Sequence, residues 1–354
     1  MEKRYRLVVV LFIAAVIVSC SIPSMVSVKV LKPPAIDMPG IKSIAIVDFK
    51  GPERAGSQIA TLVQSMLIKT GYYDIMERDK INEVLNEQKF TMTGAVDQNT
   101  AVEIGKLLGV DAMIFGEVST YEVEPDKKIT KKVKERRGTG KYQWVTVKDK
   151  KTGKKKKVKR EIYEEVWVDK SYWVRKGTVA INFRVVDVET GRLLAAHSDS
   201  KSYDSRNEKR SFFEVLADEQ KALKPKGEIL NDLSKSICKR FVRMIAPYYV
   251  TEKRTIEPGS GSIGVGVRYA ENGLWEEALD EWKRAVEETP KQPAAHYDLG
   301  LAYEVLGMLD EAEQAYKAAV RLKQKTLYMK ALARVRKAIE DQEKLKKQLE
   351  ERDI

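Results

Sequence analysis

Six positions recur at an interval of 34 residues near the C-terminal end of the chain. Gly266, Tyr269, Gly273, Ala278, Trp282 and Ala285 return as Gly300, Tyr303, Gly307, Ala312, Tyr316 and Ala319. No other feature narrows the choice of fold as much. Small residues at the first, fourth and sixth positions let helices cross closely, and aromatic residues fill the spaces between them. A unit of this length is one helix pair that cannot bury its apolar face alone, so units must stack. Pro290 closes the first unit, and the two copies cover about 259–326. A third, degenerate unit starts near Leu327, with Arg334 at the small-residue position. Residues 327–354 are therefore expected to be a capping helix and a charged tail, EDQEKLKKQLEERDI.

Charge separates this segment from the rest. From Val267 to Arg321 there are six basic residues against twelve acidic ones. The whole chain carries +12, yet Lys127 to Lys176 alone holds twenty Lys and Arg against six Asp and Glu. The surplus peaks in KTGKKKKVKR, 151–160. Such a run suggests nucleic acid until the compartment is considered. With 43% apolar residues among 354, the chain can build two or three cores.

The first twenty residues, MEKRYRLVVVLFIAAVIVSC, combine a basic head with an apolar run from Leu7 to Val18. At about 1.5 Å per residue that run is too short for a lasting membrane span but suits a secretory signal. Ile17-Val18-Ser19-Cys20 resembles the lipobox of bacterial lipoprotein precursors. The resemblance implies a signal peptide at 1–19, acyl chains such as palmitate on Cys20, and a lipidated tether over 20–40. A secreted chain with an incidental Cys20 and a retained membrane anchor are the alternatives. Cys238 is the only other cysteine, so a lipidated Cys20 leaves no internal disulfide. Its apolar helical neighbours Leu233, Ile237 and Phe241 predict a small buried side chain.

Between these ends the pattern is α/β. KSIAIVDF (42–49), YYDIME (72–77) and DAMIFGEV (111–118) read as strands, with helical periodicity over 59–67, 79–85 and 100–108. Residues 122–176 alternate polar and apolar in pieces and predict a long basic β-hairpin. Residues 177–204 predict two strands joined at 188–191, and Glu208 to Tyr248 reads mainly as helix. TEKRTIEPGSGS, 251–262, reads as a linker.

Signals for catalysis fail on context. Gly259-x-Gly261-x-x-Gly264 has dinucleotide spacing, but Pro258 and polar residues precede it where a strand belongs. RRGTGKY has Glu135 and Tyr142 where a phosphate loop needs Gly and Ser or Thr. His197 and His296 fall in different domains without a ligand cluster, and no nucleophile–base pair is visible. No catalytic residue, metal site or cofactor is expected.

The repeat resembles the tetratricopeptide repeat, a fold that presents a concave surface to a peptide or protein partner. Its acidic excess favours basic partners. Further upstream, GYYDIMERDKINEVLNEQ (71–88), FTMTGAVDQNTAVEIGKLLGVDAMIFGEVSTYEVE (90–124) and VAINFRVVDVETGRLLAAHSDSKSY (179–203) resemble the CsgG family, the curli secretion lipoproteins. That resemblance covers roughly 28–250. It implies a periplasmic α/β core on an outer-membrane lipoprotein that assembles into a homo-oligomeric ring. In the curli channel, inserted segments supply strands to one composite β-barrel. Here the first insertion would lie at about 122–176, yet charges interrupt both faces of 158–168. Arg or Lys at the bilayer midplane costs about 2–4 kcal/mol. The second insertion, 204–228, is more helical than strand-like. These residues favour a water-exposed ribbon over a pore.

The expected fold is α/β: a CsgG-like core at 41–250 with the basic insertion, followed by an all-α tetratricopeptide-repeat domain at 263–326. The expected function is a lipid-anchored, ring-forming scaffold of a secretion or assembly system, held at Cys20 on the periplasmic side of the outer membrane. Repeat residues Gly266, Tyr269, Ala278, Trp282, Gly300, Tyr303, Ala312 and Tyr316 would shape the partner-binding domain. Lys154, Lys155, Lys156, Lys157, Lys159 and Arg160 would contact an anionic lipid or polysaccharide surface, not nucleic acid. A curli-type secretion channel and a monomeric protein-binding module are the rival readings.

Overall fold

The computed structural model describes residues 24–77, 80, 81, 83, 98–148, 155–207 and 223–353. Residues 1–23, which include the expected signal peptide and Cys20, together with Lys154 and most of 208–228, lie outside the described residues. The chain divides into two compact units.

The first unit, Ile44–Met66 with Ile75–Phe241, is the α/β body. Its five-stranded sheet has the order β3-β2-β4-β7-β8. The strands are β2 (Ser43–Ile46), β3 (Asp74–Ile75), β4 (Ala112–Val123), β7 (Lys176–Asp187) and β8 (Leu193–Asp204). The strand expected over 72–77 shrinks to the two residues of β3. β2 and β4 run parallel, with Ile44 opposite Ala112, while β7 and β8 add antiparallel strands. Ile44, Ala45 and Ile46 are all buried, which is why this strand reads as an unbroken apolar run.

Helices α1 (Ala55–Ile68), α2 (Gln98–Leu108) and α3 (Lys226–Ile245) complete this architecture. Ile104 of α2 packs with Ala45, Met113, Phe115 and Val186. Along β7, Val179, Ile181, Phe183 and Val185 are buried at every second position. Phe183 stacks on Phe241 of α3 at 4.2 Å between ring centres. Cys238 is buried beside it, as its helical neighbours predict.

Between β4 and β7 the chain runs out and back as β5 (Lys127–Lys148) and β6 (Lys155–Val174). These pair antiparallel only with each other, Lys127 opposite Val174 and Lys148 opposite Lys155. A bulge interrupts the register between Gly138 and Tyr142.

The second unit comprises the described parts of Met1–Ser43, Leu67–Asp74 and Val242–Ile354. It contains α4 (Gly261–Glu271), α5 (Trp275–Glu288), α6 (Pro293–Val305), α7 (Leu309–Leu322) and the 28-residue α8 (Thr326–Asp353). Gly273 and Gly307 stand one repeat apart with φ of 79° and 80°, turning α4 into α5 and α6 into α7. A side chain is strained in that left-handed region.

Two stretches depart from the sequence expectation. Ser24–Lys32, read as tether, is strand β1, and Tyr248–Ile256, which overlaps the expected linker, is strand β9. They pair antiparallel, Ser24 opposite Ile256 and Lys32 opposite Tyr248. Val26, Val28 and Val30 alternate with more exposed residues, a half-buried strand pattern present in the sequence itself. The partner strand lies more than 200 residues away, beyond any local signal.

Candidate functional site

The repeat positions act on each other as their types require. A Cβ on Gly266 would sit 2.5 Å from Nε1 of Trp282, and one on Gly300 would sit 2.8 Å from Cδ1 of Tyr316. Both rings are wholly buried, and Trp282 donates Nε1–H to the Ile263 carbonyl at 3.1 Å. Ala278 and Ala312 are buried as well, whereas Tyr269 and Tyr303 are half-buried against the same core.

The repeats were expected to present a concave surface to a partner; in the structure the first helices, α4 and α6, form one face together with α8. β1 and β9 lie against it. Val26 and Ile256 join the apolar cluster of the repeats. The Tyr297 hydroxyl donates to the Thr255 carbonyl at 2.7 Å, and the Glu257 amide donates to Asp298 Oδ1 at 3.0 Å. Lys32 pairs with Asp341 at 3.1 Å, and Lys344 donates to the Pro34 carbonyl at 3.2 Å. Glu257 forms a further ion pair with Lys325.

At the centre lies Glu304, whose side chain is 6% exposed. It accepts from Arg254 of β9 at 3.1 Å, from Arg334 of α8 at 2.8 and 2.7 Å, and from the Tyr316 hydroxyl at 2.7 Å. Burial opposes its charge, but hydrogen bonding and charge from Arg334, with help from Tyr316 and Arg254, hold its carboxyl below the usual range. Burial also works against the Arg334 charge, and Glu304 more than offsets it. Sequence reasoning missed Glu304 and Arg254, because an isolated charged residue carries no mark of burial. The departure at Arg334 was the one visible clue.

A cavity of about 240 Å³ remains beside this network, reached by Val28, Leu31, Arg254, Glu304, Arg334 and Asp341 among others. Asp298 is fully buried, and its Oδ2 has no hydrogen-bond partner. Desolvation pushes its carboxyl well above the ordinary range.

In the α/β unit the β5–β6 ribbon carries the basic surplus. Cross-strand partners share a face, so the register divides the expected anion patch. Lys155, Lys157 and Lys159 lie opposite Lys148, Thr146 and Trp144 on one face. Lys156 and Arg160, opposite Val147 and Gln143, lie on the other. Tyr142, Trp144, Tyr163 and Trp167 share the first face: the period of two sets Tyr163 and Trp167 on one side of β6, and the cross-strand register brings Tyr142 and Trp144 to it. Lys134 sits over the Trp167 ring, Arg136 over Tyr163 and Lys159 over Tyr142, at 5.4, 4.9 and 4.7 Å.

Among the described residues no group of three or more His, Cys, Asp or Glu could hold a metal. His296 bonds to the Pro290 carbonyl at 2.8 Å, a local structural contact. Gly140 adopts φ of 68° within the β5 bulge, and its amide meets Glu161 at 3.3 Å, so RRGTGKY is strand and bulge. Gly259-x-Gly261-x-x-Gly264 does follow a strand, β9, contrary to the sequence expectation. That strand pairs only with antiparallel β1, outside any parallel βαβ unit.

Residues 46–245 match the family described as "Curli production assembly/transport component CsgG". The chain belongs to the CsgG family. A tetratricopeptide repeat match follows at 266–325, so this CsgG-family protein joins the α/β core to repeats in one chain. It is similar to the photosystem I assembly protein Ycf3 of Synechococcus sp. (strain CC9311), 36% identical over 62 residues, 18% of this chain and 36% of that protein. The chain spans about a third to a half of the length of the curated relatives it matches. Among solved structures it is similar to a PelC dodecamer from Paraburkholderia phytofirmans, at 10% identity and a TM-score of 0.29, over 64% of this chain and 99% of that one. It is also similar to lipoprotein GNA1162 from Neisseria meningitidis, at 15% identity and a TM-score of 0.30, over 57% and 98%.

Proposed function

We propose that this CsgG-family protein is a lipid-anchored, ring-forming scaffold in a secretion or assembly system of the cell envelope. The observation that carries this reading is the joining of a CsgG core to tetratricopeptide repeats behind a lipobox-like Cys20. Acyl chains on Cys20 would hold the protein on the periplasmic side of the outer membrane, each buried CH₂ contributing about 0.8 kcal/mol. Copies of the α/β core would contact one another in the ring. The basic ribbon would face an anionic surface.

The repeats would recruit a partner protein. Because β1 and β9 cover the face of the first helices, recruitment falls to the second helices, α5 and α7. These expose Glu276, Glu277, Asp280, Asp310 and Glu311, an acidic surface suited to a basic partner.

Imaging the protein extracted in mild detergent tests this. A closed ring with no detergent belt encircling the ribbons is expected, together with loss of palmitate labelling in Cys20→Ala. Uniform monomers would overturn the scaffold in favour of a binding module. A detergent belt around 127–174 would instead favour a curli-type channel.

A further inference from the structure

The exposed aromatic residues of the ribbon call for an explanation that charge alone does not supply. Tyr142, Trp144, Tyr163 and Trp167 are 55, 69, 49 and 64% exposed, on one face of strands of 22 and 20 residues. At about 3.3 Å per residue the longer strand extends roughly 70 Å. An isolated two-stranded ribbon is at best marginally stable in water. Trp and Tyr on a solvent face therefore indicate a surface that the ribbon meets.

On this face the paired positions hold eight Lys and Arg against three Asp and Glu. Two kinds of anionic partner recognise aromatic and cationic side chains together. A polymer of bases or sugars stacks on open ring faces. A bilayer takes the ring body at the headgroup level and sets cations beside the phosphates. Here Lys134, Arg136 and Lys159 already cover faces of Trp167, Tyr163 and Tyr142. A ring with a cation on one face is a poorer stacking platform, yet these three rings still present an apolar edge with a cation beside it, and Trp144 stands open between them and the lysines.

We propose that the Tyr142, Trp144, Tyr163 and Trp167 face of β5–β6 seats on the headgroup layer of an anionic phospholipid bilayer. Lys155, Lys157 and Lys159 supply the charge, and the rings enter only to interfacial depth. The ribbon lies on the membrane without crossing it. This inference rests on the anionic-surface reading above and names its partner.

Bromine-labelled lipids quench tryptophan on contact, so the purified full-length protein is mixed with vesicles of phosphatidylcholine, with and without phosphatidylglycerol. Quenching at least twofold stronger on anionic vesicles is expected. It should fall by more than half in Trp144→Phe/Trp167→Phe, which keeps the ring bulk and leaves Trp173, Trp275 and Trp282 as background. Lys155→Gln/Lys157→Gln/Lys159→Gln should remove the preference for phosphatidylglycerol. Quenching unchanged by the Phe pair would overturn the proposal. Failure on vesicles combined with binding of alginate, a soluble polyanion, would overturn it while sparing the anionic-surface reading. Failure with both probes would overturn the two together.

Discussion

Arg334 donates Nε and Nη2 to the two carboxylate oxygens of Glu304 at 2.8 and 2.7 Å. It occupies the position that Gly266 and Gly300 hold in the first two repeats. There glycine admits the aromatic ring of the following helix. α8 runs unbroken from Thr326 to Asp353, so position 350, where the period would place the ring, is Glu350 on the same helix and cannot fold back over position 334. The guanidinium uses the space and neutralises a carboxylate that would otherwise be buried with Arg254 as its only cation.

Arg334→Ala should cost about 3 kcal/mol, the low end of the penalty for breaking a buried ion pair, because Arg254 still meets Glu304. Glu304→Ala should cost a similar amount, and the double variant clearly less than their sum. Urea unfolding followed by circular dichroism measures this coupling.

Gly300→Ala should lose about 1–3 kcal/mol through overpacking against Tyr316. Gly307→Ala should lose about 1–2 kcal/mol, for a different reason, its left-handed backbone. Gly227→Ala, at a helical position with nothing within 4 Å of the added Cβ, should instead gain up to about 1 kcal/mol. Thermal melts separate the three.

Asp298 should make stability depend on pH. Its folded carboxyl is raised by burial and by the nearby Glu257, and lowered by the Glu257 amide and Lys325. A raised folded value means that its contribution is present below the unfolded value, about 3.9, and is lost as pH rises toward the folded value. Asp298→Asn should therefore gain stability relative to the parent as pH climbs from about 4 to 8. Glu304 has the opposite sign, its contribution fading as pH falls. Melting temperatures of parent and variant across that range are the readout.

Val28→Asp should cost about 3 kcal/mol, because Val28 is buried in β1 and the new carboxylate is desolvated there, opposite Glu252 on the paired strand. Leu31→Asp, on the more exposed side of the same strand, should change stability by less than about 0.5 kcal/mol. Hydrogen exchange at the β1 amides should accelerate only in Val28→Asp.

Cys238 should resist alkylation in the folded protein and react fully in denaturant. Burial raises its thiol to about 12, so almost no thiolate exists near neutral pH.

The two architectures were readable because each writes a period into the chain. The 34-residue interval marked Gly300 and Tyr316 as packing positions of one repeat, and 177–204 carried two strands about a turn. Strand β3 was overcalled because YYDIME has strand composition whether or not a neighbour pairs with it.

Local pattern alone thus determined the α/β core, the repeats and the small-for-large pairing of glycine with aromatic rings, since these depend on residues within one or two turns or one repeat. Only the tertiary structure decided that 24–32 meets 248–256 along the repeat helices and that Glu304 is buried between two arginines. Those outcomes depend on desolvation and on pairing across more than 200 residues, and neither leaves a mark on the sequence near the residues concerned.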